Sequence, residues 1–301
     1  MTANKPETVT QLREDLIRVI APNPSPMTYW GTNTYVLGQR SVAVIDPGPD
    51  DEGHLQALLG ALPPGASVSH ILVTHAHRDH SAGVPRFAAM TGAKVWAYGD
   101  WQAGRSDAMV ALAKAGLAGG GEGVDEGFAP DVRLADGAEV AGDGWGLRAL
   151  WTPGHMGNHL CFAEDGSGTV FTGDLVMGWS TSLVSPPDGD YGAFMRSLEV
   201  LAARQADQVY LPGHGAAVET PLAQVAELKA HRLARDAQIR AALAEAPGTA
   251  RDLAGRVYVD LDPALLGAAA RNVLAHLLEM KAQSEAEMRG AMGPEARFAL
   301  V

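Results

Sequence analysis

The chain predicts an α/β fold followed by a small helical domain. Three observations predict it. Short apolar runs alternate with stretches of helical spacing, several of those runs end beside glycine and a His or Asp, and at Glu219-Thr220-Pro221 the pattern changes to long helices. Length agrees, since 301 residues can bury a large core and suffice for one large domain or two.

Strands are expected at residues 16–20, 34–37 and 42–45, leading into a helix near 54–62. A strand at 71–73 then delivers a His-rich loop, and a helix around 84–90, a strand at 94–97 and a helical stretch at 106–117 complete the first half. Residues 116–127 contain six glycines and several acids, and read as a flexible surface insertion rather than an active-site lid. Strands at 147–151, 159–163 and 169–172 follow, then a helix at 190–203 and a strand just before His214. Thr220 as N-cap and Pro221 at the first helical position open a long helix with Leu222, Val225 and Leu228 on one side, ended by Pro247-Gly248. Thr249 with Asp252 makes a capping-box start for a short helix, and Asp262-Pro263 starts a third with Leu266, Ala270, Val273 and Leu277 at helical spacing. Residues 285–288 and 297–300 can pair as a hairpin, the wing of a winged helix. The expected domains are therefore 1–219 and 220–301.

The densest chemical signal is Thr74-His75-Ala76-His77-Arg78-Asp79-His80-Ser81, which packs three imidazoles and a carboxylate into six positions directly after Ile71-Leu72-Val73. An extended strand turns alternate side chains to one side, so His75 and His77 can reach one ion together, while Asp79 and His80 on the following turn point to a second position. Two ions need about seven ligands, so further His or Asp are expected at strand ends. Trp151-Thr152-Pro153-Gly154-His155, Phe171-Thr172-Gly173-Asp174 and Leu211-Pro212-Gly213-His214-Gly215 supply them, each beside glycine where the backbone can turn sharply. Asp46, in Val44-Ile45-Asp46-Pro47-Gly48, stands in good turn chemistry at another strand end.

On these motifs the sequence resembles the metallo-β-lactamase superfamily, whose pattern is a His-x-His-x-Asp-His loop followed by His, Asp and His at turns of this kind. The likeness covers residues 16–220. It implies a four-layer αββα sandwich with ligands along one edge. It further implies that His75, His77 and His155 bind one metal, that Asp79, His80 and His214 bind the other, that Asp174 bridges them, and that Asp46 orients the His loop without touching metal. Trp30-Gly31-Thr32-Asn33-Thr34-Tyr35, Ser185-Pro186-Pro187-Asp188-Gly189-Asp190-Tyr191 and the winged-helix tail are most similar to the branch that includes the lactamase-beta-like endoribonucleases. Met156 departs from the pattern, standing where many relatives carry Thr. Cysteine also differs: the best-known zinc β-lactamases use it as a ligand, whereas Cys161 lies on an expected strand.

Composition narrows the setting. A single cysteine excludes an internal disulfide framework, and between Leu160 and Phe162 it reads as a buried small hydrophobe. The N-terminal stretch is polar without an apolar signal core, and no segment approaches the ~20 apolar residues of a membrane span, so the cytoplasm is expected. Net charge is −12, and residues 228–283 hold eight Lys or Arg against six acids. A nucleic-acid binder needs a concentrated basic face, whereas Arg232, Arg235, Arg240 and Arg271 read as solvated surface residues. The tail is expected to cap the metal cleft.

Two cations roughly 3.5 Å apart, sharing Asp174 and a water, would lower that water's pKa enough to supply a bridging hydroxide near neutral pH. It would attack a carbonyl carbon or phosphorus while a metal stabilises the developing oxyanion, which makes Asp79 and Asp174 the carboxylates expected to matter for catalysis. With only imidazole and carboxylate donors, two zinc ions fit best, and manganese or iron suits the second, oxygen-richer site. Asn158, His159 and Tyr191 are candidates for the leaving-group acid by their places near ligand turns. The expected activity is hydrolysis of an ester, thioester or lactam-like bond in a small molecule. The alternatives are metal-dependent cleavage of single-stranded RNA and a non-enzymatic winged-helix nucleic-acid binder, and oxygen chemistry on iron is compatible with the same ligands.

Overall fold

Strand pairing in chain order builds the first sheet of the computed structural model, which describes residues 6–120 and 122–301. Its seven strands are β1 (Val9–Arg13), β2 (Leu16–Ile20), β3 (Asn33–Leu37), β4 (Ser41–Ile45), β5 (Ser67–Leu72), β6 (Lys94–Ala97) and β7 (Val132–Arg133). The first four run antiparallel and the last four parallel. Parallel neighbours need crossovers, and these are α1 (Glu52–Gly60), the pair α2 (Arg78–Ser81) and α3 (Val84–Thr91), and α4 (Asp107–Lys114). The second sheet comprises β8 (Glu139–Gly142), β9 (Trp145–Trp151), β10 (Leu160–Glu164), β11 (Thr169–Gly173) and β12 (Val209–Pro212). It is antiparallel except for β11 and β12, which α5 (Tyr191–Ala202) joins.

The period of two along the strands sorts the layers. On β4, Val42 and Val44 pack with Leu55 and Leu58 of α1 and Phe87 of α3, whereas Ala43 and Ile45 face Phe162, Phe171 and Leu211 of the other sheet. On β11, Phe171 faces inward while Val170 packs under Phe194, Leu198 and Leu201 of α5. Helix, sheet, sheet, helix is the order that results, the four-layer αββα sandwich expected. Strands β1, β7 and β8 were not foreseen. The first two are edge strands, β8 is a four-residue edge strand with one buried side chain, and none carries an apolar run.

After β12 comes α6 (Pro221–Glu245), then α7 (Ala250–Val257) and α8 (Leu266–Ala282), the last preceded by a single tight turn at Pro263–Leu265. The Thr220 side chain makes no capping bond, so the start of α6 rests on Pro221 alone. Thr249 and Asp252 do form the reciprocal capping box, at 3.1 and 3.0 Å. The hairpin of β14 (Ala286–Arg289) and β15 (Arg297–Leu300) is extended by β13 (Gly248–Thr249), completing a winged helix. Its core of Ile239, Leu253, Val273, Leu277 and Phe298 continues into Met109 and Leu112 of α4, which fastens it to the sandwich. Among the described residues no helix is long and apolar enough to cross a membrane.

Cys161 is fully buried on β10 beside the Thr152 hydroxyl, and burial pushes its pKa up to about 12. A thiol both inaccessible and protonated should be inert. An aromatic disulfide reagent is expected to find no reactive thiol in the native chain and one after denaturation; a full native titration would contradict this packing.

Candidate metal centre

Strand β5 stops at Leu72, the chain bends at Thr74, and α2 begins at Arg78 and turns Asp79 and His80 back toward His75 and His77. Asp46, at the end of β4, holds that loop in shape. Its Oδ1 accepts the Thr74 amide at 2.7 Å, and its Oδ2 accepts the Thr74 hydroxyl at 2.7 Å and His80 Nδ1–H at 2.9 Å. The residue stands at φ +53°, a strained backbone position that these bonds stabilise.

Two groups of donors result. In the first, His75 Nε2 and His155 Nε2 lie 3.0 and 2.9 Å from His77 Nδ1. In the second, Asp79 Oδ2 lies 3.2 Å from His214 Nε2 and 3.4 Å from His80 Nε2. Asp174 stands between them, with Oδ1 3.5 Å from His80 Nε2, and Oδ2 3.3 Å from His214 Nε2 and 3.6 Å from His155 Nε2. All seven of these side chains are buried.

The outer hydrogen bonds fix which ring nitrogens carry protons. His155 Nδ1 sits 2.8 Å from the Leu183 carbonyl and must donate, leaving a lone pair on its inner Nε2. The Thr74 hydroxyl already donates to Asp46, so it accepts from His75 Nδ1 at 3.0 Å and leaves a lone pair on His75 Nε2. His80 Nδ1 donates to Asp46 and His214 Nδ1 to the Gly31 carbonyl at 3.3 Å, so in both rings it is Nε2 that faces the carboxylates of Asp79 and Asp174. Lone pairs and carboxylates thus converge on a buried space, and Asp174 Oδ1 has no hydrogen-bond partner. Electrostatics agree. Burial, with His155 nearby, lowers His77 to about 3, while burial of His214 is outweighed by Asp174 and Asp79, which raise it to about 10. One group is neutral imidazoles and the other demands positive charge, so divalent cations fit both.

Neighbouring segments press the donors together. A Cβ on Gly213 would stand 2.4 Å from Asp174 Oδ1, so only glycine lets the His214 turn approach. Asn33 Nδ2 donates to the carbonyls of Pro212 and Gly215, and Tyr35 Oη to that of Pro212, so the 30–35 motif clamps the same turn. Thr32 Oγ1 reaches Asp79 Oδ2 at 3.3 Å.

Several expectations change. His159 is no leaving-group acid: it is fully buried, its Nδ1 lies 3.0 Å from the Thr152 hydroxyl, and its Nε2 accepts the Asp174 amide at 3.2 Å. Asn158 ties the Ala76 amide to the Asp100 carbonyl, and Tyr191 packs on His276 with ring centres 3.9 Å apart, so neither opens on the donors. Met156 fills the core between the first sheet and its helices while its carbonyl keeps the turn bonds. The glycine-rich segment lies at the surface as expected, but its residues 123–125 are tied to the His loop. Gly123 O accepts the Arg78 amide, Asp125 N–H donates to Ala76 O, both at 2.9 Å, and Val124 bridges to His77. The four arginines of the tail are each engaged by neighbours in the fold, though only Arg232 is buried. Arg232 is buried, Arg235 stacks 3.9 Å over Tyr258, Arg240 pairs with Asp236 and Glu285, and Arg271 donates to the carbonyls of Pro186, Ala118 and Gly119.

From the donors a crevice of about 310 Å³ runs out between the sandwich and the winged helix. Met27, Met177, Trp179 and Leu183 line one side, and Arg232, Tyr258, Leu261 and Asn272 the other. These wall residues were missed by sequence reasoning, since no local pattern marks residues that meet only through tertiary packing.

A four-layer sandwich carrying a His and Asp donor cluster at one edge defines a metallo-hydrolase. The chain belongs to the metallo-beta-lactamase superfamily, whose model matches residues 27–214, and residues 249–291 match the beta-lactamase associated winged helix domain. It is 32% identical to a beta-lactamase-like protein 2 homolog of Drosophila melanogaster, over 96% of this chain and 95% of that one. It is also 32% identical to an atrochrysone carboxyl ACP thioesterase of Passalora fulva, over 78% of this chain and 64% of the relative. Among solved structures, a metallo-beta-lactamase family protein from Thermus thermophilus aligns with a TM-score of 0.78 and 25% identity, covering 97% of this chain and all of the other.

Proposed function

We propose that the protein is a dinuclear zinc hydrolase of small acyl thioesters. The observation that carries this reading is the convergence of lone pairs and carboxylates at the inner end of a crevice with both apolar and polar walls. In it, His75, His77 and His155 hold one ion, Asp79, His80 and His214 the other, and Asp174 lies between them. Two bound divalent cations supply an activated water and polarise the scissile carbonyl. Asp46 and His159 fix the orientation of the donors, and the Met27, Met177 and Leu183 side chains exclude bulk water from the acyl group. A thioester is favoured over other acyl bonds by the thioesterase among the relatives. Single-stranded RNA is disfavoured because Arg232, Arg240 and Arg271 are engaged within the fold rather than on a basic face.

The test is a panel of butyryl-N-acetylcysteamine, a chromogenic β-lactam and single-stranded RNA, assayed between 50 and 200 mM salt. Thioester hydrolysis is expected to dominate and to change by less than about twofold with salt, because the substrate is neutral. Cleavage of RNA that falls about a thousandfold over the same range would replace this reading with a nuclease.

A further inference from the structure

Arg232 is the buried charge that the proposed chemistry leaves unexplained. It is 3% exposed and lines the crevice, yet its partners are neutral: Nη1 donates to Asn272 Oδ1 at 3.2 Å and Nη2 to the Ser182 carbonyl, while Nε has no partner. Among the described residues no carboxylate lies within ion-pair distance of it. The contrast with Arg105 is direct, because that buried guanidinium is paired with Asp188 at 2.5 Å. Arg18 is also buried without an acid, but it does not line the crevice. A cation withdrawn from water without a counter-charge is costly, so its retention at a binding surface signals an anion brought by the ligand.

Two further observations point the same way. Arg235, one helical turn along α6, also lines the crevice; it stacks on Tyr258, has an unpartnered Nε and, among the described residues, pairs with no acid. The segment 182–184 ties the arginine to the donor cluster. Ser182 O accepts from Arg232, Leu183 O accepts from His155, and Val184 N–H donates to the same Asn272 Oδ1 that Arg232 contacts. Arg232 and His155 thus hold the carbonyls of adjacent residues, and both line the same crevice.

Resting on the thioester reading, we infer that Arg232 and Arg235 form an oxyanion subsite, and that the substrate is an acyl thioester bearing a carboxylate or a phosphate. The winged helix then selects the substrate by charge, and the planar guanidinium of Arg232 is preset by Asn272 and Ser182 to meet two oxygens.

The experiment compares glutaryl-N-acetylcysteamine, with a carboxylate on the acyl side, acetyl-phosphopantetheine, with a phosphate on the thiol side, and neutral butyryl-N-acetylcysteamine. Wild type, Arg232→Met and Arg235→Gln are assayed, with thermal midpoints to verify folding. Wild type is expected to prefer one anionic thioester over the neutral one, and each variant to cut that preference by roughly tenfold or more, mainly through KM. Which anion is preferred tells carboxylate from phosphate. Equal loss on charged and neutral substrates in both variants, or no anionic preference in wild type, would overturn the subsite. Glutarate and inorganic phosphate binding, measured by calorimetry, separates this from failure of the thioester reading. If no thioester is cleaved but either anion binds wild type and neither binds the variants, the subsite stands; if neither anion binds wild type, it falls.

Discussion

Asp174→Ala is expected to lower kcat on the butyryl thioester by about a thousandfold or more, equivalent to about 4 kcal/mol of transition-state stabilisation, while the chain stays folded. The reason is position. Its two carboxylate oxygens face donors of both groups, within 3.3 to 3.6 Å of His80, His155 and His214, and among the described residues no other carboxylate does so. Ala leaves the neutral group His75, His77 and His155 intact but removes half of the negative charge that raises His214. Elemental analysis should therefore show less than the wild-type metal content, with unchanged far-ultraviolet circular dichroism. Asp174→Asn keeps the volume and removes the charge, so it should lose nearly as much. Activity of either variant within about tenfold of wild type would remove Asp174 from the proposed mechanism.

Asp46→Ala should act on stability and metal affinity together. One buried carboxylate accepts three hydrogen bonds, from the Thr74 amide, the Thr74 hydroxyl and His80 Nδ1, and Ala leaves those donors without acceptors. The expected cost is roughly 2–4 kcal/mol of folding stability, read by urea denaturation. Freed from Asp46, the Thr74 hydroxyl and the His75 and His80 rings lose their fixed orientation, and metal affinity should fall about 10- to 100-fold in competition with a chelator. Asp46→Asn retains one acceptor oxygen, so an intermediate loss is expected. Unchanged affinity in the Ala variant would mean that the loop holds its shape without Asp46.

Much of the donor cluster was legible because its information is local. Three histidines and an aspartate in six positions need only a strand end and one helical turn to converge, and the His155, Asp174 and His214 turns each announce themselves by a strand followed by glycine. The layers were legible only through the family resemblance, since β4 is apolar on both faces and its Val42 and Val44 are told from Ala43 and Ile45 only by what packs on each side. His159 was not, because its place beside a ligand turn suggests an acid while its function is to accept the Asp174 amide across 15 residues. Arg232 read as a solvated residue because an arginine is usually exposed, and its burial follows only from Phe194, Ser182 and Asn272 closing over it. The glycines of 116–127 suggested freedom, but the backbone of residues 123–125 pairs with the His loop, which no side-chain pattern records. Edge strand β1 was invisible because its pairing partner, β2, supplies the order.

The central claim is that this donor cluster holds two metal ions that make the protein a thioester hydrolase. The direct measurement is a titration of chelator-stripped protein with zinc, with butyryl-N-acetylcysteamine hydrolysis followed at each addition and bound metal determined in parallel. Activity should be absent without metal and rise to a plateau at about two ions per chain. Full hydrolysis by the stripped protein, or a plateau with no zinc bound, would contradict the account.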